Sequence, residues 1–127
     1  MKELKLLFCK HCGKIVELLP ETHCCQTICC GEPMVELKAN TTEATVEKHI
    51  PVVTVNGNDV KVTVGSVLHP MLPEHYIMYI YLLTNKHTYR ADLKPGDAPV
   101  AEFRLLDDEK VEIAYAYCNI HGLWSTK

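Results

Sequence analysis

The chain has 127 residues, enough for one ordinary domain or for a small module joined to a medium one. Hydrophobic residues make up 47% and charged residues 23%, a soluble globular balance, and the formal net charge of -3 offers no whole-molecule basic field for nucleic acid. No apolar run reaches the ~20 residues that a membrane-spanning helix needs, so neither nucleic acid nor membrane is expected as a partner.

In chain order, Met1 to Phe8 starts with charge and lacks the apolar core and small-residue cleavage site of an export signal. It reads as the first strand of a cytoplasmic protein. Six of the seven cysteines follow between Cys9 and Cys30, and the seventh is Cys118. An odd number cannot complete a disulfide framework, and clustered thiols in a reducing compartment point to metal. Residues 1–37 therefore form a cysteine-rich module too short to build its own core. Residues 38–127 form the second domain, entered through the polar linker Lys38–Glu43.

From Ala44 onward the pattern is β. Val60, Val62 and Val64 alternate with Lys61 and Thr63, as in a half-buried strand. Asn56-Gly57 separates them from Val52–Val55 and signals a hairpin. Tyr76–Leu83 is apolar on both faces, which suits a strand covered on both sides or one at a dimer contact. Tyr89–Leu93 and Val100–Leu106 are shorter strands around the loop 94–99, and Asp107–Lys110 is a turn. Val111, Ile113, Tyr115 and Tyr117 alternate with Glu112, Ala114 and Ala116 in a last long strand. Short strands with turn signals between them predict a β-sandwich, with no amphipathic helix and no repeat.

Two constellations carry chemistry. Cys9-Lys10-His11-Cys12-Gly13 and Cys29-Cys30-Gly31 supply four thiols that can close a tetrahedral S4 site, suited to zinc or iron. A vicinal pair is unusual for a zinc ribbon, because adjacent ligands must splay from one backbone corner. Cys24-Cys25 competes as the second pair; Cys29-Cys30 is preferred because Gly31 follows it as Gly13 follows Cys12.

The second constellation is His49, His69, His75, Cys118 and His121, in short segments marked by proline and glycine. A blue-copper site would also draw a cysteine and a histidine from one C-terminal loop, but no methionine follows Cys118, and three further histidines are present. Tetrahedral zinc would leave ligands over. Four imidazoles and one thiolate suit a square-pyramidal iron with one position open.

Over essentially its whole length the chain resembles the two-iron superoxide reductases, the desulfoferrodoxins. Cys9-x-x-Cys12 with Cys29-Cys30-Gly31-Glu32-Pro33-Met34 is similar to the desulforedoxin-type FeS4 module. EKHIPV (47–52), GSVLHPM (65–71), EHYI (74–77), LKPGDAP (93–99) and YCNIHGLW (117–124) are similar to the catalytic domain. The resemblance implies an all-β fold, a small desulforedoxin-like FeS4 module followed by an immunoglobulin-like β-sandwich, in a homodimer. It implies two non-haem irons per chain, one held by Cys9, Cys12, Cys29 and Cys30. His49, His69, His75 and His121 would be equatorial ligands of the other iron, with Cys118 axial. Glu47 would be the carboxylate that occupies the open position once the iron is oxidised, and Lys48 the cation beside it. The implied reaction reduces superoxide to hydrogen peroxide in oxidative stress defence, with electrons from a rubredoxin-like donor protein. His23 and Cys24-Cys25 depart from the family pattern.

A lysine beside an acidic residue is ordinarily a surface ion pair of little worth; beside His49, Lys48 can instead focus the field on an anion. The backbone N–H groups of Asn119 and Ile120 are expected to point at the Cys118 sulfur and tune it. Two competing readings are an electron carrier whose irons never meet substrate, and a zinc-ribbon binding module. The acidic balance and the lack of an aromatic-basic stripe oppose the latter as a nucleic-acid binder.

Overall fold

The computed structural model describes residues 3–19 and 26–126, so His23, Cys24 and Cys25 lie outside the described residues. The chain divides into two compact units, residues 3–38 and residues 39 onward. Among the described residues no helix is long and apolar enough to cross a membrane.

In the smaller unit, β1 (Leu6–Phe8) pairs antiparallel with β2 (Ile15–Glu17) and with β5 (Val35–Glu36). A separate hairpin joins β3 (Ile28–Cys29) to β4 (Glu32–Pro33). Leu4, Leu6 and Cys9 are the buried apolar side chains of this unit among the described residues. Three such side chains make a very small core, and a unit of this size ordinarily needs a metal or partner to hold it.

The larger unit opens with α1 (Val46–His49), a single helical turn. It was not expected from the sequence, because four residues are too few to show a helical period. Two sheets follow. One has the order β10 (Val100–Arg104), β7 (Asp59–Val64), β6 (Pro51–Asn56). The other has the order β12 (Gly122–Ser125), β11 (Val111–Cys118), β8 (Ile77–Thr84), β9 (Thr88–Asp92). All pairings within them are antiparallel. The expected hairpin is present: Asn56 pairs with Asp59 around Gly57 and Asn58.

One buried cluster joins the two sheets. Val60, Val62, Val64 and Ala101 come from the first, and Ile77, Ile80, Leu82, Ala114, Ala116 and Cys118 from the second. Each fully buried Val, Ile or Leu contributes about 1.5–3 kcal/mol by leaving water. An exposed ion pair such as Arg104–Asp59 contributes about 0–1 kcal/mol, so apolar packing holds the sandwich together. Tyr81, Leu83, Ile113, Tyr115 and Tyr117, on the opposite face of β8 and β11, are buried as well. The doubly apolar run 76–83 is thus a central strand covered on both faces. The polar stretch 38–43 is not a free linker, since Asn40 donates its N–H to the Leu123 carbonyl and accepts the Ser125 N–H.

At the end of the sandwich where β8 turns into β9, Glu109 has its side chain fully enclosed. Its carboxylate accepts hydrogen bonds from the Thr84 hydroxyl, the Leu106 N–H, the Tyr89 hydroxyl and His87 Nδ1. Burial alone would raise its pKa, but these donors outweigh burial and hold it at about 2. At the other end Gly65 meets α1. A Cβ there would lie 2.6 Å from the Glu47 carbonyl oxygen and 2.8 Å from that of Ile50, so only glycine allows this approach. Val67 N–H and the Ser66 hydroxyl complete the junction by donating to the Glu47 carbonyl.

Gly65→Ala is expected to cost about 1–3 kcal/mol of stability by overpacking a backbone-to-backbone contact, read as a lower chemical denaturation midpoint; an unshifted midpoint would show that the junction yields. A depressed carboxyl pKa contributes stability that is complete above the unfolded value of ~4.3 and is lost as pH falls toward the folded one. The melting-temperature gap between the wild type and Glu109→Gln should therefore narrow from pH 5 toward pH 2. A gap that stays constant would mean that the charge of Glu109 adds nothing.

Candidate metal centres

In the smaller unit the four thiols of Cys9, Cys12, Cys29 and Cys30 converge, with every sulfur within 4.8 Å of the others. Backbone turns bring them there. Gly13 N–H donates to the Cys9 carbonyl, and Cys9 N–H to that of Lys14, closing a loop around Cys12. Cys30 and Gly31 form the two-residue turn between β3 and β4, with φ of 52° and 78°. Both angles are positive, as a type I′ turn requires. That turn is the corner from which adjacent cysteines splay.

The thiols are electrostatically linked. The N–H of Cys12, with help from that of His11 and against burial, lowers the pKa of Cys9 to about 6. The neighbouring thiols of Cys9 and Cys12, with burial, push Cys29 up to about 12, and Cys30 is raised for the same reasons. Without a cation, Cys9 is the thiol favoured to ionise, and Cys29 and Cys30 resist ionising beside it. A bound cation allows all four to ionise, and a set of four thiolates fits iron or zinc.

The second cluster lies at one end of the sandwich. His49 closes α1 just before β6, His69 follows β7, His75 precedes β8, Cys118 ends β11, and His121 lies in the turn to β12. Their five ligand atoms are all within 4.8 Å of one another. Antiparallel pairing of β6 with β7, and of β8 with β11, places these ends together: Pro51 faces Val64, and Ile77 faces Cys118.

Hydrogen bonds select the ring nitrogen that each histidine presents. His49 Nδ1 donates to the Thr45 carbonyl, and His69 Nδ1 to that of Pro70, both at 2.7 Å. Their Nε2 atoms are left facing each other at 3.2 Å. His121 presents Nδ1, 3.1 Å from His49 Nε2 and 3.8 Å from the Cys118 sulfur. His75 Nε2 is buried with no hydrogen-bond partner. A buried polar atom without a partner is costly, and here it faces three other imidazoles. Trp124 Nε1 donates to the His121 carbonyl, and the indole ring lies 4.9 Å from that of His49.

Electrostatics agree with a cation site. Burial, reinforced by the neighbouring imidazoles, lowers the pKa of His49 and His75 and takes His69 to about 4. The rings are therefore neutral at pH 7, with lone pairs available. Burial raises the Cys118 thiol, against hydrogen bonds from the His121 and Ile120 N–H groups. A thiolate at this depth needs a positive partner. An orphaned nitrogen, neutral rings and a buried thiol together fit a metal ion, and five mixed donors leave a six-coordinate iron one ligand short.

The expectation for the Cys118 sulfur is half corrected. Ile120 and His121 supply the N–H groups, whereas the N–H of Asn119 donates to the Tyr76 carbonyl at 3.2 Å. Glu47 and Lys48 are exposed on α1, and the Lys48 charge is felt at both His49 and His75. Thr45, Pro70 and Trp124 were not anticipated. Two of them act through backbone carbonyls, which every residue carries, so residue type offers no signal for them.

A sequence model of the Desulfoferrodoxin family matches residues 41–127. The chain is 47% identical over 119 residues to a desulfoferrodoxin of Nitratidesulfovibrio vulgaris, covering 94% of this chain and 92% of that one. It is 47% identical over 118 residues to a desulfoferrodoxin homolog of Archaeoglobus fulgidus, covering 93% and 92%. The crystal structure of the superoxide reductase from Treponema pallidum matches with a TM-score of 0.83 at 38% identity, covering 98% of each chain. With a family match over the histidine-bearing unit and relatives that extend through the cysteine-rich one, the chain belongs to the desulfoferrodoxin family, and its two donor sets fit two non-haem irons.

Proposed function

We propose that the protein is a superoxide reductase, in which one superoxide takes up one electron and two protons to give one hydrogen peroxide. The observation that carries this reading is the convergence of four imidazoles and a buried thiol, with the nitrogen of His75 left unpartnered. The similarity to the Treponema pallidum superoxide reductase supports it. His49, His69 and His75 through Nε2, His121 through Nδ1 and Cys118 through its sulfur would hold the reactive iron. Cys9, Cys12, Cys29 and Cys30 would hold the other. When bound, ferrous iron supplies the electron that superoxide accepts.

The protein's own groups shape the remainder. Neutral rings leave the site's positive charge uncancelled, which favours an incoming anion. The N–H groups of Ile120 and His121 draw on the Cys118 sulfur and limit how much density it gives. The net charge of -3 makes long-range attraction of superoxide unfavourable, so attraction must be local. Lys48 supplies it, as an exposed cation close enough to depress two ligand histidines. Its ammonium can also hold a water that delivers a proton. Glu47, on the same helical turn, is the carboxylate available to cap the site between turnovers. Electrons come from a rubredoxin-like carrier, and the working unit is a homodimer in the cytoplasm.

The deciding experiment adds a known amount of superoxide to the reduced, iron-loaded protein and measures peroxide and oxygen together. One peroxide per superoxide with no oxygen is expected. Oxygen release at one peroxide per two superoxides would make it a dismutase, and no acceleration over buffer would favour an electron carrier. Lys48→Ala should keep its iron and lower the bimolecular rate with superoxide about tenfold at low salt, the lower end of electrostatic steering. The deficit should shrink as salt is added. An unchanged rate at low ionic strength would remove Lys48 from this role.

A further inference from the structure

The β8–β11 ladder loses register next to the metal-binding cluster. Tyr117 pairs with Tyr79, but the next residue, Cys118, pairs with Ile77, so the ladder skips Met78. Beyond Cys118 the regular pairing stops, yet His75 lies in the segment that would continue it. Locally, that segment is held by one isolated bridge, between Leu72 and His75. His75 is also the ligand without a hydrogen bond on its buried ring nitrogen.

Asn119 extends the ladder by its side chain. Its Oδ1 accepts the Tyr76 N–H at 3.0 Å, and its Nδ2 donates to the Glu74 carbonyl at 3.1 Å. Its own N–H donates to the Tyr76 carbonyl at 3.2 Å. A carboxamide has the donor and acceptor of a peptide group, so it adds one rung beyond the last paired residues of the ladder. The three bonds bracket His75 on both sides, and Asn119 is itself bonded directly to Cys118. The side chain is exposed, so these bonds are not explained as satisfaction of buried polar atoms.

We propose that Asn119 is a positioning residue: its carboxamide locks the 74–76 segment to the 118–121 turn, so that His75 and the Cys118–His121 pair are presented as one preformed set. The inference rests on the reading of this cluster as a metal site. It assigns Asn119 a role through His75 and not through the thiol beside it. Outer partners that orient ligands typically change metal affinity by about 10- to 100-fold, and a preformed set avoids the cost of ordering a loop at the moment of binding.

The test is a double-mutant cycle read by cobalt(II) binding to the metal-free full chain, in competition with a chelator. The thiolate-to-cobalt bands of the four-cysteine site serve as an internal reference. Asn119→Ala should weaken the histidine-site affinity about 10- to 100-fold and leave the reference unmoved. In a His75→Ala background the same substitution should change affinity less than twofold, because the ligand it positions is gone. Asn119→Ser, which keeps a polar group but reaches neither neighbour, should repeat both results and guards against a folding defect peculiar to alanine. Wild-type affinity in the single variants, or an equal loss with and without His75, would overturn the proposal. Wild-type protein that takes up cobalt at the cysteine site alone would instead overturn the metal reading on which the proposal stands.

Discussion

Antiparallel pairing of β8 with β11 sets Ile77 opposite Cys118 and buries both among the side chains that join the two sheets. Cys118 is therefore a member of the hydrophobic core and a prospective ligand at once. A thiol in that position resists ionisation, since its anion would have to leave water without compensation. A cation at the end of the sandwich supplies the compensation. The strength of the core and the appetite of the site for metal thus come from the same packing.

The histidines follow the same logic in the opposite sense. Burial disfavours the imidazolium at His49, His69 and His75 and leaves those rings with a lone pair. Carbonyls of Thr45 and Pro70 then take the Nδ1 protons of His49 and His69, which turns their Nε2 atoms inward. Desolvation opposes charge on thiol and imidazole alike, yet one outcome is a ligand that needs a cation and the other is a ligand already prepared for one. An exposed cluster of the same residues would have protonated rings at mild acidity and a thiol that could ionise in water without a cation.

The two sites are built by different means. The four-cysteine site depends on turn geometry, above all the left-handed Cys30-Gly31 corner, in a unit with a very small core. Its chemistry comes from sulfurs close enough to compete for one negative charge. The histidine site depends on strand ends held by an extensive apolar interface, and its ligands come from the α1–β6, β7–β8 and β11–β12 connections. The first arrangement is local in sequence and the second is not.

That difference decides how much could be read in advance. The period-two alternation at Val60, Val62 and Val64, the Asn56-Gly57 hairpin signal and the doubly apolar run 76–83 are all written in side-chain type, so the strands were legible. So were the ligands, because a thiolate or imidazole cannot be replaced by another group without changing the chemistry. The turn α1 was too short to show a period, and β12 hides inside a motif that draws attention as ligands. Tertiary structure alone decided which nitrogen each histidine presents, that Asn119 bonds to the 74–76 segment instead of to the sulfur, and that Gly65 must lack a Cβ. Those depend on backbone carbonyls, backbone N–H groups and close approaches, which every residue offers equally. The chain by itself determined which atoms can bind. Only the folded sandwich determined their direction, because direction is a property of the neighbours brought together from distant parts of the sequence.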